Sequence, residues 1–93
     1  MKKIDFNNLN KWFAENEEYL DKIYEFFGVD PDRASALIFN KVGYPDSNEH
    51  EELFIFSMAG YLGMCELEYD GYATRTHDPI TKEIKWVTAK DNE

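Results

Sequence analysis

The chain has 93 residues, 43% of them hydrophobic and 16% aromatic, with 19 acidic against 10 basic side chains and a formal charge of −9. That length holds one small core, and the apolar content excludes a disordered chain in spite of the charge. The carboxylate excess disfavours direct binding to nucleic acid or to an anionic membrane, because each phosphate contact needs a cation.

Leu9, Phe13, Leu20, Ile23 or Tyr24, and Phe27 recur at helical spacing, which predicts a first helix over about 6–27. Asp5, Asn7 or Asn8 suits its start, and Gly28 its left-handed stop. Asn16 interrupts the apolar stripe. Glu15, Glu18 and Glu25, with Glu17 and Asp21 beside them, form a ridge with a carboxylate about every turn, roughly 5 Å apart. Asp30-Pro31 then opens a second helix over about 31–42, since Asp caps well and Pro fits the first helical position.

A third helix is expected over about 47–62, with Asp46 or Ser47 as its cap. Glu49, Glu51 and Glu52 then sit at its positive end. This helix is apolar on nearly every side, which places it mid-domain. Gly60 and Gly63 weigh against it, and Leu53–Met58 has the composition of a buried fourth strand as an alternative.

Asp70-Gly71 between CELEY and YATRT is a strong hairpin signal, giving strands over about 64–69 and 72–77. The turn 77–82 leads to a third strand, 83–88, with His77 opposite Glu83 and Thr74 opposite Trp86. In that register Leu67, Tyr69, Tyr72, Ile84 and Trp86 share the covered face, with Cys65 on the same side. Glu66, Glu68, Arg75, His77 and Lys85 face water. Residues 89–93 read as a frayed tail. The expected fold is α+β in a single domain: three helices packed on one face of a three-stranded antiparallel meander.

No set of residues carries catalysis or metal binding. His50 among Glu49, Glu51 and Glu52 lacks the HExxH spacing, His77-Asp78 lies at a turn, and a buried Cys65 is inert. The single cysteine excludes an internal disulfide and fits a reducing compartment. The opening MKKIDF has no apolar run of signal-peptide length, and Leu53–Cys65, the longest such run, has 13 residues, too few to cross a bilayer. A cytoplasmic protein without cofactor is expected.

The imbalance of charge is local. Residues 44–71 hold seven acids and no base, while 72–93 hold four of each. The reading that follows is a non-enzymatic module whose negative surface covers a basic protein, as an inhibitor from a phage or mobile element would cover the nucleic-acid-binding surface of a host enzyme. An anti-restriction or anti-CRISPR protein is the type. Its binding residues would be Glu15, Glu17, Glu18, Asp21, Glu25, Asp46, Glu49, Glu51 and Glu52, with Trp12 and Tyr19 as aromatic anchors. An immunity protein or antitoxin against a basic toxin, an assembly subunit, and a homodimer are the alternatives. The order of helices followed by a hairpin also admits a small transcription regulator, which the charge opposes.

Overall fold

The computed structural model describes residues 1–88, so the expected tail at 89–93 lies outside the described residues. The chain is α+β, with four helices followed by a two-stranded antiparallel sheet: α1 (Leu9–Glu15), α2 (Glu17–Phe27), α3 (Pro31–Val42), α4 (Asn48–Tyr69), β1 (Ala73–His77) and β2 (Ile84–Thr88). Three helices and three strands, the expected count, are therefore corrected at two places.

The first correction is at Asn16. Its side-chain amide donates to the Trp12 carbonyl at 2.8 Å, and its backbone N–H is shared between the carbonyls of Trp12 and Phe13. An asparagine that bonds the backbone locally competes with the regular ladder. The expected single helix is broken there into α1 and α2. The Asn8 side chain caps α1 by accepting from the Lys11 N–H.

α3 has the expected bounds. The Asp30 carboxylate accepts from the Arg33 N–H, Pro31 stands in the first turn, and Gly43 ends the helix at φ 107°.

The second correction is larger. α4 runs through Gly60 and Gly63 to Tyr69, so neither the alternative strand at 53–58 nor the expected strand at 64–69 exists. Asp70-Gly71 is not a hairpin turn but the end of this helix. Gly71 takes φ 87°, its N–H reaches the Glu68 carbonyl, and the Tyr72 N–H reaches the Leu67 carbonyl at 2.7 Å. That pair of bonds is a Schellman cap, which needs the same left-handed glycine that a tight hairpin needs. The core settles the matter: Phe54, Met58, Tyr61, Leu62 and Cys65 are all buried and recur at three and four, one stripe that only a continuous helix can present.

The surviving hairpin is shifted by one residue from the expected register. His77 lies opposite Ile84, Arg75 opposite Trp86 and Ala73 opposite Thr88. A slip of one exchanges the two faces of a strand. Arg75 thereby joins Ala73, Ile84 and Trp86 on the side of the helices, while Thr74, Thr76, Lys85 and Val87 turn away. Leu67, Tyr69 and Tyr72, expected on the covered face, are exposed. Asp78 shapes the turn by accepting from the N–H groups of Ile80 and Thr81.

The core is aromatic. Trp12, Phe13, Phe39 and Phe54 meet in tilted or edge-to-face pairs with centroids 5.3 to 6.0 Å apart. Such geometry adds to their area burial. The Trp12 indole N–H, buried with its ring, donates to the Lys2 carbonyl and holds the N-terminal segment against α1.

Candidate functional site

Two acidic regions result, one turned inward and one outward. The inward one is built on Arg75, which β1 delivers into the gap between α2 and α4. Its side chain is 11% exposed. One terminal nitrogen donates to Glu17 and to Asp21, the latter at 2.9 Å, and the other donates to Glu68 at 2.7 Å. The guanidinium also lies over the Trp86 ring at 4.8 Å and the Tyr61 ring at 5.7 Å. Tyr61 donates its hydroxyl to Asp21 at 2.9 Å, and His77 meets Glu17 at 2.9 Å. Four elements converge on one cation.

The electrostatics follow from burial and these bonds. Burial alone raises the Glu17 carboxyl, but hydrogen bonds from Arg75 and His77 outweigh it and hold the group below its ordinary value of 4.5. Burial, then the Asp21 charge, raises the Tyr61 phenol. Burial pushes the Cys65 thiol up to about 12, in spite of the neighbouring guanidinium. At neutral pH the thiol is therefore no nucleophile and the phenol no base. Beside the cluster opens a cleft of about 520 Å³, lined by Asp21, Tyr24, Glu25, Glu68, Tyr69 and Arg75. Both terminal nitrogens of its arginine are engaged by the three carboxylates, while the Nε–H is buried without a hydrogen-bond partner. Among the described residues no group of three or more His, Cys, Asp or Glu is placed to hold a metal ion, and no helix is long and apolar enough to cross a membrane.

The outward region comprises the exposed carboxylates. Glu15, Glu18, Glu25, Asp46, Glu49 and Glu52 are exposed, and among the described residues none has a cation within salt-bridge distance. Glu51 is half-buried. Glu66 and Asp70, at the far end of α4, are exposed as well, and their charges help raise the neighbouring Tyr24 phenol after burial has done so. His50, next to Glu49 and Glu51, stacks flat on Phe6 at 4.3 Å.

The eleven residues singled out from sequence therefore fall into three groups. Seven carboxylates remain on the surface. Glu17 and Asp21 are bound to Arg75, so the ridge along the first helix loses its centre. Trp12 is core and has no surface to offer, whereas Tyr19 is half-buried under the Lys41 ammonium, 5.3 Å from its ring. The sequence reading missed Arg75, because the wrong register put it in water opposite Glu66. The alternation Ala73-Thr-Arg-Thr-His77 against Ile84-Lys-Trp86 was the available signal, since pairing Arg75 with Trp86 makes a cation–π contact.

Comparison with known proteins adds nothing to these residues: no family model matches the chain, and no curated protein or solved structure is significantly similar to it.

Proposed function

We propose that the protein is a non-enzymatic acidic module that binds and covers the basic surface of another protein. The nearest functional type is an inhibitor, encoded by a phage or mobile element, that occupies the nucleic-acid-binding surface of a host defence or DNA/RNA-processing protein in the manner of an anti-restriction or anti-CRISPR protein. One observation carries the reading. Glu15, Glu18, Glu25, Glu49 and Glu52 are held on helices and Asp46 on the turn just before the α4 cap, all open to solvent and, among the described residues, without a counter-ion within salt-bridge distance. Carboxylates so arranged project a field that steers a cationic partner and rejects nucleic acid itself. The Arg75 cluster supports the same reading from the other side, because its three carboxylates are engaged by the two terminal nitrogens of one guanidinium and serve to fasten the hairpin to α2 and α4.

The test is capture of partners from a host lysate on the immobilised protein, followed by elution with salt and with duplex DNA. A specific partner should be released by both, because the carboxylates and the phosphates compete for one surface. Reversal of Glu15 with Glu18, or of Glu49 with Glu52, to lysine should abolish its capture. Retention of the same partner by both reversed variants would sink the proposal. An immunity protein would use the same surface, and a captured nuclease or other toxin would identify that case.

A further inference from the structure

α4 buries one face and leaves the opposite one bare. Away from the core stand Leu53, 44% exposed, Phe56, 80% exposed, and Leu67, 37% exposed, with Gly60 and Gly63 between them. These five positions recur at spacings of three and four, so they form one stripe about 21 Å long on a single face. A helix that is apolar all round is normally covered all round. Among the described residues, only the side bearing Phe54, Met58, Tyr61, Leu62 and Cys65 is buried.

The glycines sharpen the point. Both lie inside the helix and keep a negative φ, so neither meets a backbone need. A Cβ built at either position would touch no atom within 4 Å, so no packing among the described residues requires them. Each weakens the helix relative to alanine. What a glycine offers in return is close approach by a second backbone from outside. A groove of about 390 Å³ between α4 and the hairpin opens at the same place, lined by Phe56, Gly60, Tyr61, Met64, Ile84 and Trp86.

Charge selects what fits. Glu49 and Glu52 flank one end of the stripe and Glu66 and Asp70 the other, all four exposed, and residues 44–71 contain no lysine or arginine. A second copy laid antiparallel would bring Glu49 and Glu52 onto Glu66 and Asp70; laid parallel, it would bring each onto itself. Either arrangement sets like charges together. Anionic lipid is repelled by the same four groups.

We infer that the outer face of α4 seats one amphipathic α-helix of the partner, with apolar side chains against Leu53, Phe56 and Leu67, its backbone close over Gly60 and Gly63, and lysines or arginines at both ends against the two acidic pairs. This rests on the reading of the partner as basic and specifies the element of the partner that is recognised.

The probe is a labelled 18-residue peptide with leucines at alternating spacings of three and four, lysines in the first and last turns, and alanine elsewhere, titrated by fluorescence anisotropy against the full chain. Saturable binding is expected, weakened about tenfold or more by Phe56→Ser and by Gly60→Leu. Gly60→Leu should also raise Tm, since its Cβ meets no atom within 4 Å and leucine favours the helix over glycine, and a raised Tm separates its loss of binding from unfolding. A peptide with the same composition and scrambled leucines should bind at least tenfold more weakly. If the scrambled peptide binds as well, or if both variants bind normally while Glu49→Lys with Glu52→Lys does not, the helix-seat inference is overturned and the acidic-module reading survives. If exchanging the peptide's lysines for glutamates leaves affinity unchanged, the basic-partner reading itself fails. Sedimentation as a dimer that Phe56→Ser dissociates would give the face to a second copy. Flotation with phosphatidylcholine vesicles, lost in the same variant, would give it to lipid. Both results overturn the inference.

Discussion

Glu68 and Glu66 stand two residues apart on the last turn of α4, and their surroundings have nothing in common. Glu68 faces α2 and is gripped by Arg75 at 2.7 Å, in a cluster where Glu17 and Asp21 share the same guanidinium. Glu66 is exposed, and among the described residues no cation lies within salt-bridge distance of it. The contrast extends over the whole molecule. A net charge says how many carboxylates there are, whereas the position of one arginine decides which of them are structural and which make an external field. Inward carboxylates lower the energy of the fold only while their cation is present. Outward ones cost the fold a little through mutual repulsion and gain their use only when a partner supplies the cation.

The strongest way to break this distinction is to remove the shared cation. Arg75→Met leaves Glu17, Asp21 and Glu68 facing one another around a gap, and uncompensated charge in a half-buried site is expensive. A loss of about 3 kcal/mol is expected, toward the lower end for a buried network because Asp21 and Glu68 keep contact with water. Urea denaturation at neutral pH measures it. An unchanged midpoint would mean that the cluster holds nothing together.

Acid probes the same region more gently. Glu17 is depressed below its ordinary 4.5, so its ionised form favours the folded state; that contribution is complete above the unfolded value and disappears as pH falls through the folded one. Asp78 behaves alike, held at about 2 against an ordinary 3.8 by the N–H groups of Thr81 and Ile80 and by Lys85. Stability should be level from neutral pH to about 5 and fall below that. Glu17→Gln keeps the shape and loses the charge, which should cost about 1 kcal/mol at pH 7, the difference between charged and neutral hydrogen bonds. The gap between variant and parent should close as pH falls through the lowered value of the folded Glu17 carboxyl. Parallel curves across the whole range would remove Glu17 from the acid limb.

Legibility in the sequence followed the same division. Local signals were read correctly wherever one physical device has one meaning. Asp30-Pro31 before a helical stripe can only be a cap, and the residues of α3 were placed accordingly. Asp70-Gly71 has two meanings, because a left-handed glycine serves a hairpin and a Schellman cap equally well, and CELEY alternates like a strand while Cys65 also prolongs the helical stripe of Phe54, Met58, Tyr61 and Leu62. Taking the hairpin there lengthened the sheet by a strand and displaced the register of the real one. That single slip hid Arg75. Glu49 and Glu52 needed no such decision, because they precede the apolar stripe of α4 in either reading and stand exposed as expected; Glu17 and Asp21 are bound by a cation that arrives from 54 to 58 residues further on, which only the correct register could reveal.

The smallest effect is the most discriminating. Glu52→Lys with Glu66→Lys reverses two charges on α4 without touching the Arg75 cluster. Neither side chain has a hydrogen-bonding or ion-pair partner among the described residues, so no contact is lost. Two opposing terms remain. The new lysine at 66 sits near the negative end of α4, where a cation gains a few tenths of a kcal/mol, and the overall repulsion of a chain at −9 is eased; at 52, just beyond the first turn, only a remnant of the interaction with the positive end of the helix is given up. The sum should lie within about 0.5 kcal/mol of the parent, by urea denaturation, while binding of the lysine-ended helical peptide falls at least tenfold. A destabilisation as large as that of Arg75→Met would place Glu52 and Glu66 inside the fold's own electrostatics, and the division between inward and outward carboxylates would no longer hold.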